Sequence, residues 1–292
     1  VAGDLPHRPG VVRLTTIPPE ALFVVSAIAQ YVGAVIAVNL FDEVAPVTVA
    51  WFRVLGASLA LLAVSAPRLA RGGRWTRAEL AAAAVFGVAT ALMNTFFYLA
   101  IERLPLGKGV TIEFIGPIAV AAARTRTGRN AVALGLAALG VAVLSGLELN
   151  GDPVGLVFIL AASAMWAAYI VVGAKVARLD RGVAGLGMGL GCAAVVLVPV
   201  GVPGSGQVWV TPSLLFACAA VGVFSSAIGY GIDQHVLRRI PVRRFSVLLA
   251  LLPVTATVVG FVGLDQTPSV GDLAGMTLVI AGVVMQSRDT LT

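Results

Sequence analysis

The chain has 292 residues, 59% of them hydrophobic and 12% charged, with a net charge of +6, and its mean hydropathy is +0.97. A soluble domain carries about 25% charged residues and could not cover this much apolar surface, so the composition excludes a water-soluble fold and makes the bilayer the solvent. The basic excess excludes a nucleic-acid partner too, because Lys and Arg fall in short clusters between apolar runs, as in cytoplasmic loops of a membrane protein. Cys192 and Cys218 lie inside apolar runs and the histidines are His7 and His235 alone, so no metal, cofactor or disulfide framework is expected.

In chain order, the polar segment 1–17 lacks a signal-peptide cleavage pattern and reads as a cytoplasmic tail. Ten apolar runs follow, over 20–41, 47–66, 78–101, 105–124, 130–149, 153–174, 183–202, 212–237, 241–264 and 270–287. Each is long enough to cross a bilayer as a helix. Pro18, Pro105, Pro153, Pro212 and Pro241 stand at or near their starts, where a missing N–H does little harm. The expected fold is all-α and integral to the membrane: ten transmembrane helices, a first five-helix repeat over 18–149, a second over 150–287, and a cytoplasmic tail over 288–292. All of the 20 Lys and Arg except Arg53, Arg103 and Lys108 fall in alternate loops and the tails. The opposite loops carry Asp42, Glu43, Glu148, Asp152, Asp265 and Asp272. The positive-inside rule then makes this a multi-pass plasma-membrane protein with both termini cytoplasmic.

Two stretches share a frame. Leu104-Pro105 runs through eleven residues to Pro117, and Ile240-Pro241 runs through eleven residues to Pro253, about half the chain later. Five spans per half is an odd number, so the second copy enters from the opposite face and the repeat is inverted. The same offset sets Gln30 against Trp166.

The first frame carries Glu113, about 12 Å below the outer end of its helix. A carboxylate within a span costs about 2.5–3.5 kcal/mol on insertion scales, so it needs a function or a partner. Arg53 lies at comparable depth in the second span. The pair reads either as a substrate or proton site, or as a buried ion pair joining two helices. Asp233, in Tyr230-Gly231-Ile232-Asp233, stands nearer the cytoplasmic end of the eighth span. Gln30 and Asn94 either bond a neighbouring helix or line a polar cavity. Tyr98 shares the Asn94 face at i, i+4. Trp166 and Tyr169 are mid-span aromatics that pack the core or face substrate. Gly116 and Pro117 predict a hinge beside Glu113, because Pro117 leaves the Glu113 carbonyl without its helical donor, and Pro253 is its counterpart. Gly135, Gly140, Gly275 and Gly282 allow close helix approach, in the scaffold or in a homodimer contact.

The run Leu92-Met93-Asn94-Thr95-Phe96-Phe97-Tyr98, followed by Pro105-Leu106-Gly107 and Glu113-Phe114-Ile115-Gly116-Pro117, resembles the EamA-type branch of the drug/metabolite transporter superfamily. Within that branch it is similar to bacterial threonine/homoserine exporters. Trp166-Ala167-Ala168-Tyr169 and Pro241-Val242-Arg243-Arg244-Phe245 match the second half of the pattern. The resemblance implies a ten-helix carrier with a central cavity lined by the first four helices of each half, exporting small metabolites on the proton gradient. It places Glu113 and Asp233 at acidic positions of the pattern. Two departures stand out: Leu252 replaces an acidic residue before the second closing proline, and Asp265-Gln266 replaces Gly-Glu between the last two spans.

The expected function is secondary export of amino acids of the threonine/homoserine kind or related small metabolites, by proton-coupled alternating access. Export of nucleobases, drugs or other metabolites is the alternative reading, and a non-transporting scaffold or sensor is the alternative from another class. No HExxH, GxSxG or paired histidines suggest an enzyme.

Overall fold

The computed structural model describes residues 17–71, 75–124, 127–146, 152–176, 182–237, 239–240, 248–249 and 251–287. The two expected tails, most of the second frame from Pro241, and loop arginines such as Arg74, Arg126, Arg178 and Arg238 lie outside them. Every regular element among the described residues is helical. In order they are α1 (Pro19–Leu40), α2 (Pro46–Arg71), α3 (Arg77–Ile101), α4 (Leu106–Glu113), α5 (Ile115–Arg124), α6 (Gly128–Gly146), α7 (Pro153–Val176) and α8 (Gly182–Val196). Then come α9 (Val198–Gly201), α10 (Gly206–Val210), α11 (Pro212–Gly222), a π-helical turn over Val223–Ile228, α12 (Gly229–Leu237), α13 (Leu251–Leu264) and α14 (Val270–Ser287).

Five stretches are long and apolar enough to cross a membrane: Pro19–Leu40, Pro46–Ala66, Arg77–Ile101, Pro153–Val172 and Pro212–Asp233. Shorter apolar helices cover Gly128–Leu144, Val183–Val196, Leu251–Leu264 and Val270–Met285. The run expected as one helix over 105–124 is divided at Phe114 into α4 and α5. The run over 183–202 is divided at Leu197, two residues before Pro199. In both cases a proline just downstream removes a donor from the helical ladder, and the break falls within the turn that loses it.

Starts are fixed by local chemistry. Thr76 and Glu79 form a capping box at α3, with Glu79 N–H donating to Thr76 Oγ1 (3.2 Å) and Thr76 N–H to Glu79 Oε2 (2.8 Å). Asp152 caps α7 by accepting from the N–H groups of Val154 (2.8 Å) and Gly155 (3.1 Å), and its second oxygen takes Arg103 Nη1 at 3.0 Å. The Gly155 amide and the Arg103 guanidinium hold this carboxyl below its ordinary range.

The packing inverts that of a soluble protein. Large apolar side chains face outward, including Val64, Phe216 and Val262, each more than three-quarters exposed. The interior holds Arg53, Asn94, Glu113, Ser225 and Ser226, all buried. Burial of polar groups beneath an apolar surface is the arrangement a bilayer selects. Threonines inside the helices satisfy themselves: Thr90, Thr95 and Thr111 donate to the carbonyls four residues earlier.

Small residues let the helices meet. α2 crosses α8, where Trp51 Nε1 donates to the Ala194 carbonyl and Ser58 Oγ to the Gly187 carbonyl, both at 2.8 Å. α3 crosses α8 at Gly87 and Gly189, so closely that a Cβ on Gly87 would run into the Gly189 backbone. α6 lies along α14, and the glycines there serve as scaffold contacts. Gly140, Gly275 and Gly282 close α6 on α14 within one chain; a Cβ on Gly140 would stand 2.7 Å from the Gly275 carbonyl, and one on Gly282 2.7 Å from that of Ala133. Gly135 has open space beside it.

The Gly87 crossing gives a direct test. Gly87→Leu forces α3 from α8 against backbone that cannot yield, and is expected to lower stability by about 1–3 kcal/mol. Thermal unfolding of detergent-purified protein should show the loss, whereas Gly135→Leu should leave the midpoint nearly unchanged.

Candidate functional site

The buried polar groups converge where α1, α2, α3, α4, the π-helical turn and α12 meet. From α1 come Ser26, Gln30 and Tyr31; from α2, Arg53; from α3, Asn94 and Tyr98; from α4, Glu113. The π-helical turn supplies Ser225 and Ser226, and α12 supplies Tyr230 and Asp233.

The turn is what allows this. Gly222 precedes it and packs on α2, where a Cβ would lie 2.9 Å from the Arg53 carbonyl. Gly229 follows it and packs directly on the Gln30 side chain. Held between these contacts, the widened turn presents two serines inward, and π-type turns inside α-helices recur at functional sites. Ser226 Oγ accepts from Arg53 Nε at 3.0 Å, and Ser225 Oγ donates to the Gln30 carbonyl at 3.1 Å. The Arg53 guanidinium stands over the Tyr98 ring, 5.1 Å from its centroid, a cation–π arrangement that also holds the side chain in place.

Asp233 is bound up with α1. Its Oδ1 accepts from Ser26 Oγ at 2.7 Å and its Oδ2 from Gln30 Nε2 at 3.2 Å. Both oxygens are engaged, so this carboxylate ties α12 to α1.

Glu113 differs. It is 8% exposed, at the end of α4 where the helix breaks. It forms no hydrogen bond or ion pair with any described residue. Arg53 lies within electrostatic reach, but the direct ion pair weighed from the sequence does not form. Tyr31 sits in the same field, close to Glu113, Asp233, Arg53 and Tyr230.

The other expected residues take flanking places. Asn94 and Tyr230 adjoin one another beside Arg53. Trp166 meets the Phe114 ring edge-on at 5.0 Å, next to Glu113 in sequence, and Tyr169 packs on Phe86 at 4.7 Å. Gly116 lies hard against the Ser163 carbonyl of α7, so the break beside Glu113 is also a close helix contact. Pro253 is the third residue of α13 and interrupts nothing described there. Ser26, Tyr31, Ser225 and Ser226 were not singled out from the sequence. A Ser-Ser pair between Gly222 and Gly229 in an otherwise apolar span was the signal for the last two.

A second cluster closes the far end of α4. Lys108 belongs to the first turn of α4, is buried, and lies 3.7 Å from Asp272 of α14. The Leu106 N–H, one of the unsatisfied donors at the start of α4, donates to Gln266 Oε1 at 2.8 Å. A small crevice of about 30 Å³ opens among Pro105, Lys108, Thr257, Gln266 and Asp272. Asp265 has φ 53°, at the position where the resembling sequences often carry glycine. The left-handed conformation explains that preference.

Among the described residues the protein is all-helical, with apolar outer faces and a buried cluster of polar and charged side chains, as suits a protein set in a bilayer. Residues 153–288 match the EamA-like transporter family. The threonine/homoserine exporter RhtA of Escherichia coli (strain K12) is 32% identical over 266 residues, 90% of this chain and 89% of that protein. The threonine/homoserine exporter RhtA of Salmonella typhimurium (strain LT2) is 32% identical over 252 residues, 85% and 84% of the two chains. The chain therefore belongs to the EamA-like transporter family, which sets it among transporters rather than enzymes. A solved crystal structure, 19% identical, covers 94% of this chain and 99% of its own with a TM-score of 0.62, a likeness of fold alone.

The strained loop residue can be probed separately. Asp265→Gly should leave stability unchanged or raise it by up to about 1 kcal/mol, and Asp265→Val should lower it by more than about 1 kcal/mol; thermal unfolding separates the two.

Proposed function

We propose that the chain exports amino acids of the threonine/homoserine kind, or related small amine-bearing metabolites, by proton-coupled alternating access. The observation that carries this reading is Glu113: a carboxylate buried in the chamber, with no hydrogen bond or ion pair to any described residue, beside Arg53. Such a group suits a substrate ammonium or a proton, each relieving the cost of presenting an empty charged site. The two relatives, both threonine/homoserine exporters, suggest the substrate class.

The same proposal holds that two inverted five-helix repeats, 18–149 and 150–287, span the plasma membrane with both termini in the cytoplasm. The helix contacts support it by exchanging between halves. α3 packs on α7, and its counterpart, the α11–α12 stretch, packs on α1. α3 meets α8 while α2 meets α11 and the π-helical turn, and α4 and α5 meet α7 while α13 meets α1. The pairs α2–α8, α4–α13 and α6–α14 each join corresponding helices of the two halves. Such an exchange of contacts is what a pseudo-two-fold axis in the membrane plane would produce, and it supports the inverted-repeat reading.

Efflux of preloaded labelled threonine and homoserine, with and without the protein and across a pH gradient, tests the reading. Gradient-dependent efflux is expected, and Glu113→Gln should abolish its pH dependence while the protein stays folded and inserted. Unchanged proton-coupled flux in that variant would remove Glu113 from the mechanism. Absence of amino-acid efflux from inserted wild-type protein would move the substrate to nucleobases, drugs or other metabolites.

A further inference from the structure

The buried polar cluster brings an arginine and a glutamate close together without letting them form an ion pair. Arg53 is 6% exposed and Glu113 8% exposed, and they feel one another electrostatically. They do not close to ion-pair distance, because each is fixed from a different side. Arg53 is tethered through Nε to Ser226 on the π-helical turn, and its face is set by the Tyr98 ring. Glu113 ends α4, whose first turn is fastened to Gln266 and Asp272. Asp233, the remaining carboxylate of the chamber, is engaged by Ser26 and Gln30 and forms no ion pair with Arg53.

We propose that this arrangement selects zwitterions: Arg53 receives the substrate's carboxylate on its two terminal nitrogens, and Glu113 receives the same molecule's ammonium. Nε is committed to Ser226, and the hydroxyl groups of Tyr98 and Tyr230 adjoin the guanidinium, so the remaining terminal N–H groups are the donors that match a carboxylate. Ser226 is then a positioning residue that fixes the plane of those donors. A ligand carrying one charge leaves the other buried and uncompensated, which is the costly case for paired buried charges. A neutral planar ligand leaves both. The inference rests on the export reading above, in that it takes the chamber for the transport site, but it goes further by requiring both charges of the substrate and dividing them between two helices.

The test uses the full chain in liposomes, with labelled threonine counterflow and unlabelled competitors: homoserine with both charges, threoninol with the amine alone, 3-hydroxybutyrate with the carboxylate alone, and uracil with neither. Homoserine should compete, and each single-charge analogue should compete at least about tenfold more weakly, since a site built to bond a group rejects ligands lacking it. In purified protein, threonine should raise the unfolding temperature and threoninol should not. In Arg53→Gln the discrimination between those two ligands should vanish, a change that a merely structural role for Arg53 would not produce. Ser226→Ala should raise the KM for threonine at unchanged kcat. If the wild type carries threonine while threoninol or 3-hydroxybutyrate competes as well as homoserine, the zwitterion assignment is overturned and the export reading stands. If no amino acid moves or stabilises the protein while uracil does, both are overturned together.

Discussion

Ser226 holding Arg53 is the contact on which the chamber turns. A guanidinium inside a helical bundle needs its donors engaged, or it draws the nearest carboxylate into a closed pair. The hydroxyl at 3.0 Å takes one donor without adding charge, and Tyr98 and Tyr230 adjoin the rest of the guanidinium, so the cation is oriented by neutral partners. The π-helical turn that delivers Ser226 depends in turn on Gly222 against α2 and Gly229 against Gln30. Small residues, helix register and site chemistry are thus parts of one arrangement.

The two carboxylates divide the work. Asp233 joins α12 to α1 through Ser26 and Gln30, and is part of the frame. Glu113 stands at a helix break and forms no hydrogen bond or ion pair with any described residue. Similar side chains in one chamber acquire different roles from their neighbours, and burial alone would not have told them apart. The far end of α4 is secured independently, by Gln266 on its first free amide and by Asp272 beside Lys108. The helix carrying Glu113 is therefore pinned at one end and interrupted at the other.

Much of the outline was legible in the chain. Apolar runs of membrane length, prolines at their starts and the charge alternation pointed to an all-helical membrane protein. The proline frame and its glutamate led to the family that the relatives show. The breaks were legible only in part: Pro117 announced an interruption near Glu113, while the division at Leu197 before Pro199 passed unnoticed inside an apolar run. Lys108 lay inside the expected run 105–124 with no partner visible along the chain; the aspartate that accompanies it, Asp272, stands on a distant helix.

Composition, periodicity and local capping belong to the sequence, because each acts within a few residues along the chain: the helices, their starts, their membrane setting and the presence of a costly internal carboxylate follow from it. Partnership does not. That Asp233 is saturated and Glu113 is not, that Arg53 turns to Ser226 instead of Glu113, and that the glycines of α6 meet α14 all depend on residues far apart in sequence brought to one depth by helix crossing. Only the tertiary structure decides which buried charges find a partner, since attraction over a few ångströms is set by position in space and not by spacing along the chain.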